Sequence, residues 1–156
     1  MRDTALEEEE ESWYHANSTP MMSRMLPLLA WNQAEKWTEL LDNFKPADAK
    51  IWIPCLIVHS PRAFALIVTD ESMYNPAAPR SFASGDYIFV DPDTEIRHES
   101  MILLKLDNGN LAFRQLIVGP DGKATFRAIN PDWPEAPFEA KRETEICGVV
   151  IGRTLP

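Results

Sequence analysis

From Ile51 to Arg153 the chain is a succession of short apolar runs, none longer than eight residues, each closed by a turn signal. The runs are Ile51–Val58, Ala63–Thr69, Tyr87–Val90, Met101–Leu106, Leu111–Val118, Ala124–Ile129 and Ile146–Arg153. Between them lie Ser84-Gly85-Asp86, Asp107-Asn108-Gly109-Asn110, Gly119-Pro120-Asp121-Gly122 and Asn130-Pro131-Asp132. Runs of about four to eight residues with this punctuation read as strands. An amphipathic helix needs roughly ten or more residues with apolar positions every three to four, which these runs do not offer. The sequence therefore predicts a mainly β fold. Asn108-Gly109 between two apolar runs predicts a tight hairpin, because a type I′ turn needs positive φ at both centres. Counting outward from it, Leu103 faces Arg114 and Lys105 faces Ala112, with Lys105 a diagonal neighbour of Arg114. Pro54 confines the first run to a sheet edge or a bulge, since it has no N–H for a ladder. At 156 residues, with no internal repeat, the chain has the size of one domain.

The first part of the chain has a different texture. Arg2, Asp3 and Glu7 to Glu11 carry a net −5 of the chain's −9. Residues 1–25 are expected to form an acidic, flexible leader, and residues 26–156 the folded domain. Within that domain, 26–48 is a distinct arm and 49–156 the β core. Asn32 as a cap, Glu35 three residues later, and Trp37, Leu40, Leu41 and Phe44 at helical spacing predict a helix that Pro46 ends. Trp31 and Trp37 are expected to anchor this segment on the sheet, and Trp133 to pack in its Asn-Pro turn.

Several function classes are disfavoured. No apolar stretch approaches the roughly 20 residues of a membrane-spanning helix. MRDTALEEEEES has no apolar stretch after a basic start, unlike a secretory signal. Cys55 and Cys147 alone make no disulfide framework, and a reduced, cytoplasmic setting fits. His15, His59 and His98 are scattered without metal-ligand spacing, and no metal or cofactor is expected. Asp91 and Asp93 in DPDTE read as turn chemistry rather than a catalytic pair. An acidic surface repels phosphate backbones, so direct DNA binding by this chain is not expected.

One ordered set of phrases carries more. A strand, Phe64 to Thr69, leads through Asp70-Glu71 into Ser72-Met73 at a turn. Gly85-Asp86-Tyr87-Ile88-Phe89-Val90-Asp91-Pro92 follows, then Leu111-Ala112-Phe113-Arg114-Gln115-Leu116, Ala128-Ile129-Asn130-Pro131-Asp132-Trp133-Pro134, and Gly148-Val149-Val150-Ile151-Gly152. In this order and spacing they resemble the C-terminal domain of LexA, lambdoid phage CI repressors and UmuD, a family of self-cleaving regulators with a Ser-Lys dyad. Leu26-Pro27-Leu28-Leu29-Ala30-Trp31-Asn32-Gln33-Ala34-Glu35-Lys36-Trp37 is similar to the cleavage region of the phage-repressor branch. The resemblance spans residue 26 to the end. It implies several short, coiled antiparallel sheets with an N-terminal extended arm. Against the local helical pattern of 26–48, it favours an arm beyond a short helical turn.

Residue by residue, the resemblance puts Ser72 at the nucleophile, Arg114 at the general-base lysine, and Ala34-Glu35 at the scissile Ala-Gly. Asp70 stands where the family has glycine. A serine hydroxyl is a weak nucleophile until a neighbour takes its proton. Arginine keeps its own proton and can only donate. Glu35 adds a side chain and a charge where glycine gives backbone freedom. The departures imply a cleavage-deficient regulatory and oligomerisation domain of a prophage-type repressor. Arg114 would need a carboxylate such as Asp70 or Glu71 beside it. The alternative is a live autopeptidase of the SOS response in which Lys105 replaces the missing base. A weaker one is an accessory to a translesion polymerase, as for UmuD. The resemblance implies a homodimer or higher oligomer, a full-length repressor and the RecA filament as partners. The helix-turn-helix of the repressors has no counterpart in this sequence, which fits a fragment, a free-standing relative or a prophage remnant.

Overall fold

The computed structural model describes residues 24–40, 43–45 and 48–156. The expected acidic leader lies outside them except for Arg24 and Met25. Nine strands form two antiparallel sheets among the described residues. In the smaller one, β1 (Met25–Pro27) pairs with β2 (Trp52–Pro54). In the larger, β3 (Phe64–Ile67), β4 (Tyr87–Asp91), β5 (Met101–Lys105), β6 (Leu111–Val118), β7 (Ala124–Arg127), β8 (Phe138–Glu139) and β9 (Glu145–Thr154) lie in the order β3-β4-β9-β5-β6-β7-β8. The fold is thus mainly β and antiparallel, as expected.

The large sheet is buried on both faces, which explains why β5 reads as an unbroken apolar run. Leu103 joins Phe64, Leu66, Met73, Phe82, Ile88 and Phe113 in one cluster. Its chain neighbours Ile102 and Leu104 join Leu116, Phe126 and Val149 in another. Alternate side chains of one strand point to opposite faces, so each face must be apolar in turn. The central strand β9 comes close to β4 at Gly148, where a Cβ would lie 2.6 Å from Val90 Cγ1. Only glycine lets the strands pass there.

Three expectations need correction. The run Ile51–Val58 is a strand only over Trp52–Pro54, and Leu56 and Val58 are 83% and 95% exposed. Pro54 sits at the end of the two-stranded ladder, facing Met25. The β5–β6 hairpin closes through three residues rather than two. The Leu106 N–H donates to the Asn110 carbonyl (2.8 Å) and the Gly109 N–H to the Leu106 carbonyl (2.9 Å). Only Gly109 of the loop has positive φ (85°), as in a type I turn followed by a left-handed glycine. Arg114 therefore faces Ile102, and Lys105 faces Leu111.

The helix expected from Asn32 is broken in two. One turn, α1 (Trp31–Ala34), starts after Ala30, whose N–H donates to Gln33 Oε1 (2.9 Å). A second turn, α2 (Trp37–Leu40), follows; Leu41 and Pro46 lie outside the described residues. The backbone is pulled away from a continuous helix by its attachment to the sheet. Leu28 bridges Ala65 in parallel, and the Leu29 N–H donates to the Ala65 carbonyl (2.9 Å). Trp31 Nε1 donates to the Ile67 carbonyl (2.9 Å) and Trp37 Nε1 to the Arg62 carbonyl (2.6 Å). Trp37 also meets Phe64 and Phe44 edge-on, at 5.6 and 4.9 Å between centroids. Both tryptophans thus anchor the arm along the edge of β3, as expected.

Candidate active site

β3 delivers the chain to Ser72, and a second loop holds it there. The Asn130 N–H donates to the Ser72 carbonyl (3.0 Å), and Asn130 Nδ2 to the Glu71 carbonyl (2.8 Å). Asn75 Nδ2 returns a bond to the Ile129 carbonyl (3.0 Å). Met73, fully buried, pins the turn into the core, and its carbonyl accepts from the Phe82 N–H (2.8 Å). The phrases around Ser72 and Asn130, distant in sequence, thus build one site.

Ser72 is 1% exposed and Arg114 is 6% exposed, and the two touch. Arg114 Nη1 donates to Ser72 Oγ (3.1 Å) and to the Phe113 carbonyl (2.7 Å). Because the guanidinium has no acceptor, the serine hydroxyl must send its own proton elsewhere. It donates to Asp70 Oδ1 at 2.6 Å, and the Ser72 N–H donates to the same oxygen at 3.0 Å. Arg114 Nε donates to Glu135 Oε2 (2.7 Å), and its guanidinium carbon lies 5.8 Å from the Trp133 ring centroid. The carboxylate paired directly with Arg114 is therefore Glu135, not Asp70 or Glu71. Asp70 reaches the arginine only through the Ser72 hydroxyl. Glu71 contributes its carbonyl alone to the hydrogen bonds around Ser72.

The arm and the Ser72 turn share a cleft of about 430 Å³, lined by Trp31, Asn32 and Glu35 on one side and Val68 to Asp70 and Asn110 to Phe113 on the other. Ala34 is the last residue of α1 and is 3% exposed. Glu35 follows in helical backbone, φ −55° and ψ −33°. The structure thus links Asp70, Ser72 and Arg114 by hydrogen bonds and puts Glu35 across a cleft from Asp70, with the arm coiled rather than extended at its Ala34-Glu35 bond.

Lys105 is placed differently from its expected position. It sits three rungs along the β5–β6 ladder from Arg114, on the alternate face, and its Nζ lies 3.6 Å from Glu145. The diagonal proximity that recommended it came from the two-residue turn, and is lost with the corrected register. Glu135, Trp133 as an arginine-stacking ring, and Asn130 as a tether were not singled out as site residues from sequence. A buried arginine announces that a carboxylate must exist. No local spacing points to one 21 residues away.

Residues 27–151 match the Peptidase S24-like family. The chain is 33% identical over 133 residues to the HTH-type transcriptional regulator for conjugative element SXT of Vibrio cholerae, covering 84% of this chain and 60% of that protein. It is 30% identical over 142 residues to repressor protein C2 of Salmonella phage P22, covering 91% and 63%. It is 31% identical over 129 residues to prophage repressor CohE of Escherichia coli K12, covering 81% and 54%. The chain therefore spans somewhat over half the length of these relatives. Among the described residues, no helix is long and apolar enough to cross a membrane. With the family match covering most of the chain, this chain belongs to the S24 peptidase-like family of LexA, phage CI repressors and UmuD.

Proposed function

We propose that this chain is the regulatory and pairing domain of a repressor-type transcriptional regulator whose self-cleaving chemistry is silent. The observation that carries the reading is the 3.1 Å bond from Arg114 Nη1 to Ser72 Oγ. Self-cleavage requires Ser72 Oγ to bond to the Ala34 carbonyl carbon while its proton leaves to a base. The bond from that carbon to the Glu35 nitrogen then breaks, and the proton passes to that nitrogen. The arginine guanidinium already carries its full set of protons and has no acceptor, so it cannot take the proton at the start. It holds the hydroxyl without activating it. Glu35 in place of glycine and the helical turn at Ala34 support the same reading, since the bond to be cut is neither flexible nor extended.

The test is intact mass against time at neutral and alkaline pH, with and without an activated RecA filament. A single unchanged mass is the expected result, with slow cleavage gained in Arg114→Lys plus Glu35→Gly. Fragments from the unaltered protein, split between Ala34 and Glu35 and abolished by Ser72→Ala, would overturn it. The reading extends to partners: a second copy of the domain, or the matching domain of a full-length repressor. Sedimentation at micromolar concentration should show a dimer. A monomer that also ignores a cognate repressor would remove this part of the proposal.

A further inference from the structure

We infer that Asp70 is a second, independent block on Ser72, occupying with one carboxylate oxygen the two hydrogen-bond donors that acyl transfer would need. This rests on the silent-peptidase reading above and goes beyond it, because there the block is the missing base. Asp70 Oδ1 accepts from the Ser72 hydroxyl at 2.6 Å and from the Ser72 N–H at 3.0 Å. Each bond removes something different. The hydroxyl proton is directed at Asp70 and away from position 114, where a base would have to receive it. The N–H of the nucleophile's own residue is a donor that can receive the developing negative charge of the attacked carbonyl oxygen. Here that N–H already points at an anion. A carbonyl oxygen arriving to share it would gather negative charge beside a full carboxylate. Glycine at position 70 would leave both donors free.

Asp70 also bears on any attempt to repair the base. With Arg114→Lys, the amine would lie within a hydroxyl's breadth of Asp70 and near the Glu135 carboxylate that now pairs with Arg114 at 2.7 Å. Opposite charges at such distances hold a lysine protonated by about one to three pH units. A lysine held charged is no better a base than the arginine. Repair of position 114 alone therefore yields a dyad that works only at strongly alkaline pH.

The experiment measures self-cleavage rate against pH, by intact mass, in Arg114→Lys plus Glu35→Gly with Asp70 kept, changed to Asn, or changed to Gly. Asn keeps an oxygen for the Ser72 N–H but removes the charge. Gly frees both donors. The expected order is Gly fastest, Asn intermediate, Asp slowest, with Gly exceeding Asp by about 10²–10³-fold, the usual worth of one oxyanion donor. Both substitutions should move the alkaline midpoint of the rate profile down by about one unit or more. A role confined to shaping the turn would leave Asn equal to Asp in rate and midpoint. Equal rates and midpoints in all three backgrounds would overturn the inference while leaving the silent-peptidase reading standing. Cleavage by the unaltered protein that Asp70→Asn abolishes would overturn both, since Asp70 would then be the base. Far-ultraviolet circular dichroism of each variant, matching that of the unaltered chain, keeps a loss of fold from passing as a loss of rate.

Discussion

Two aspartates in this molecule each grip a serine by its hydroxyl and amide, and do different things. Asp91, at the end of β4, accepts from Ser60 Oγ (2.7 Å), the Ser60 N–H (2.8 Å) and the Asp93 N–H (2.9 Å). Asp70, past the end of β3, accepts from Ser72 Oγ and the Ser72 N–H. Each thus takes the hydroxyl and amide of one serine. They differ in what surrounds them. Asp91 is 3% exposed and joins segments 31 residues apart, so its bonds staple the loop before β3 to the end of β4. Asp70 is exposed and grips a serine two residues on, in a turn that Asn130 and Met73 already hold. Of the two serines, Ser72 takes a bond from an arginine guanidinium, whereas Ser60 Oγ takes one from the Arg62 backbone N–H (3.2 Å). The comparison separates a carboxylate that holds the fold from one that occupies a site.

Removing each carboxylate tests that division most sharply. Asp91→Ala leaves the Ser60 N–H and hydroxyl and the Asp93 N–H without their acceptor in a buried place. Bonds to a charged group are worth about 1.5–3 kcal/mol each, and an orphaned buried donor costs about as much. Partial rescue by water brings the expected loss to about 3 kcal/mol in urea unfolding. Asp70→Ala should cost less, about 1–2 kcal/mol, because it leaves two donors rather than three and removes an exposed side chain through whose place water can enter, although Ser72 itself is buried. Equal losses would mean that Asp70 is a structural staple as well.

A smaller effect is expected at the arginine that distinguishes the two sites. Glu135→Ala leaves the Arg114 guanidinium, whose side chain is 7% exposed, without its direct counter-ion. Breaking a fully buried pair costs about 3–5 kcal/mol. The Glu135 side chain is 34% exposed, so solvent can enter from that side, and about 1–2 kcal/mol is expected. Glu135→Gln retains an acceptor and should lose less. A neutral result for Glu135→Ala would show that Asp70, through the Ser72 hydroxyl, suffices to balance the charge.

What the sequence made visible follows from the range of the forces involved. Leu111–Val118 was readable to the residue as β6, because its bounding turns are local and its apolar content is enforced by burial on both faces. The Ser72 turn, Arg114 and Ala34-Glu35 were picked out through the order of phrases; Arg114 bonds to Ser72, and Glu35 lines a cleft with Asp70. The partner of Arg114 was not legible. Glu135 is brought to it by the path of the chain through the Asn130 turn, and nothing in the spacing encodes that path. The hairpin register was missed by one residue, because Asn-Gly is compatible with both two- and three-residue loops, and Gly109 takes positive φ in either. That single step decided which face Lys105 occupies. The arm was half legible. Trp31 and Trp37 were readable as anchors, but their bonds to the end of β3 and to the loop before it, which accompany the break between α1 and α2, are contained in no local pattern. Asp91 was readable as turn chemistry, whereas its tie to Ser60 was not.

The smallest predicted effect separates charge from shape at Asp91. Burial alone would push its carboxyl up, but donation from Ser60 and from the Asp93 N–H, with Thr94, outweighs this and holds it below the ordinary value. A folded-state pKa below the unfolded one adds stability above the unfolded value, near 3.9, and that stability is lost as pH falls through the folded value. Asp91→Asn keeps one acceptor oxygen and most of the shape, but has no such titration. The unaltered protein should therefore exceed the variant by about 1 kcal/mol at pH 7. The gap should stay constant down to about pH 5 and shrink through pH 4 and below, as protonation removes the charge from the unaltered chain. Urea unfolding of both proteins across this range reads the difference directly, with the other titrating groups common to the two curves. A gap that does not narrow on acidification would assign the contribution of Asp91 to hydrogen-bond geometry rather than to charge. Asp91 and Asp70 would then differ only in burial.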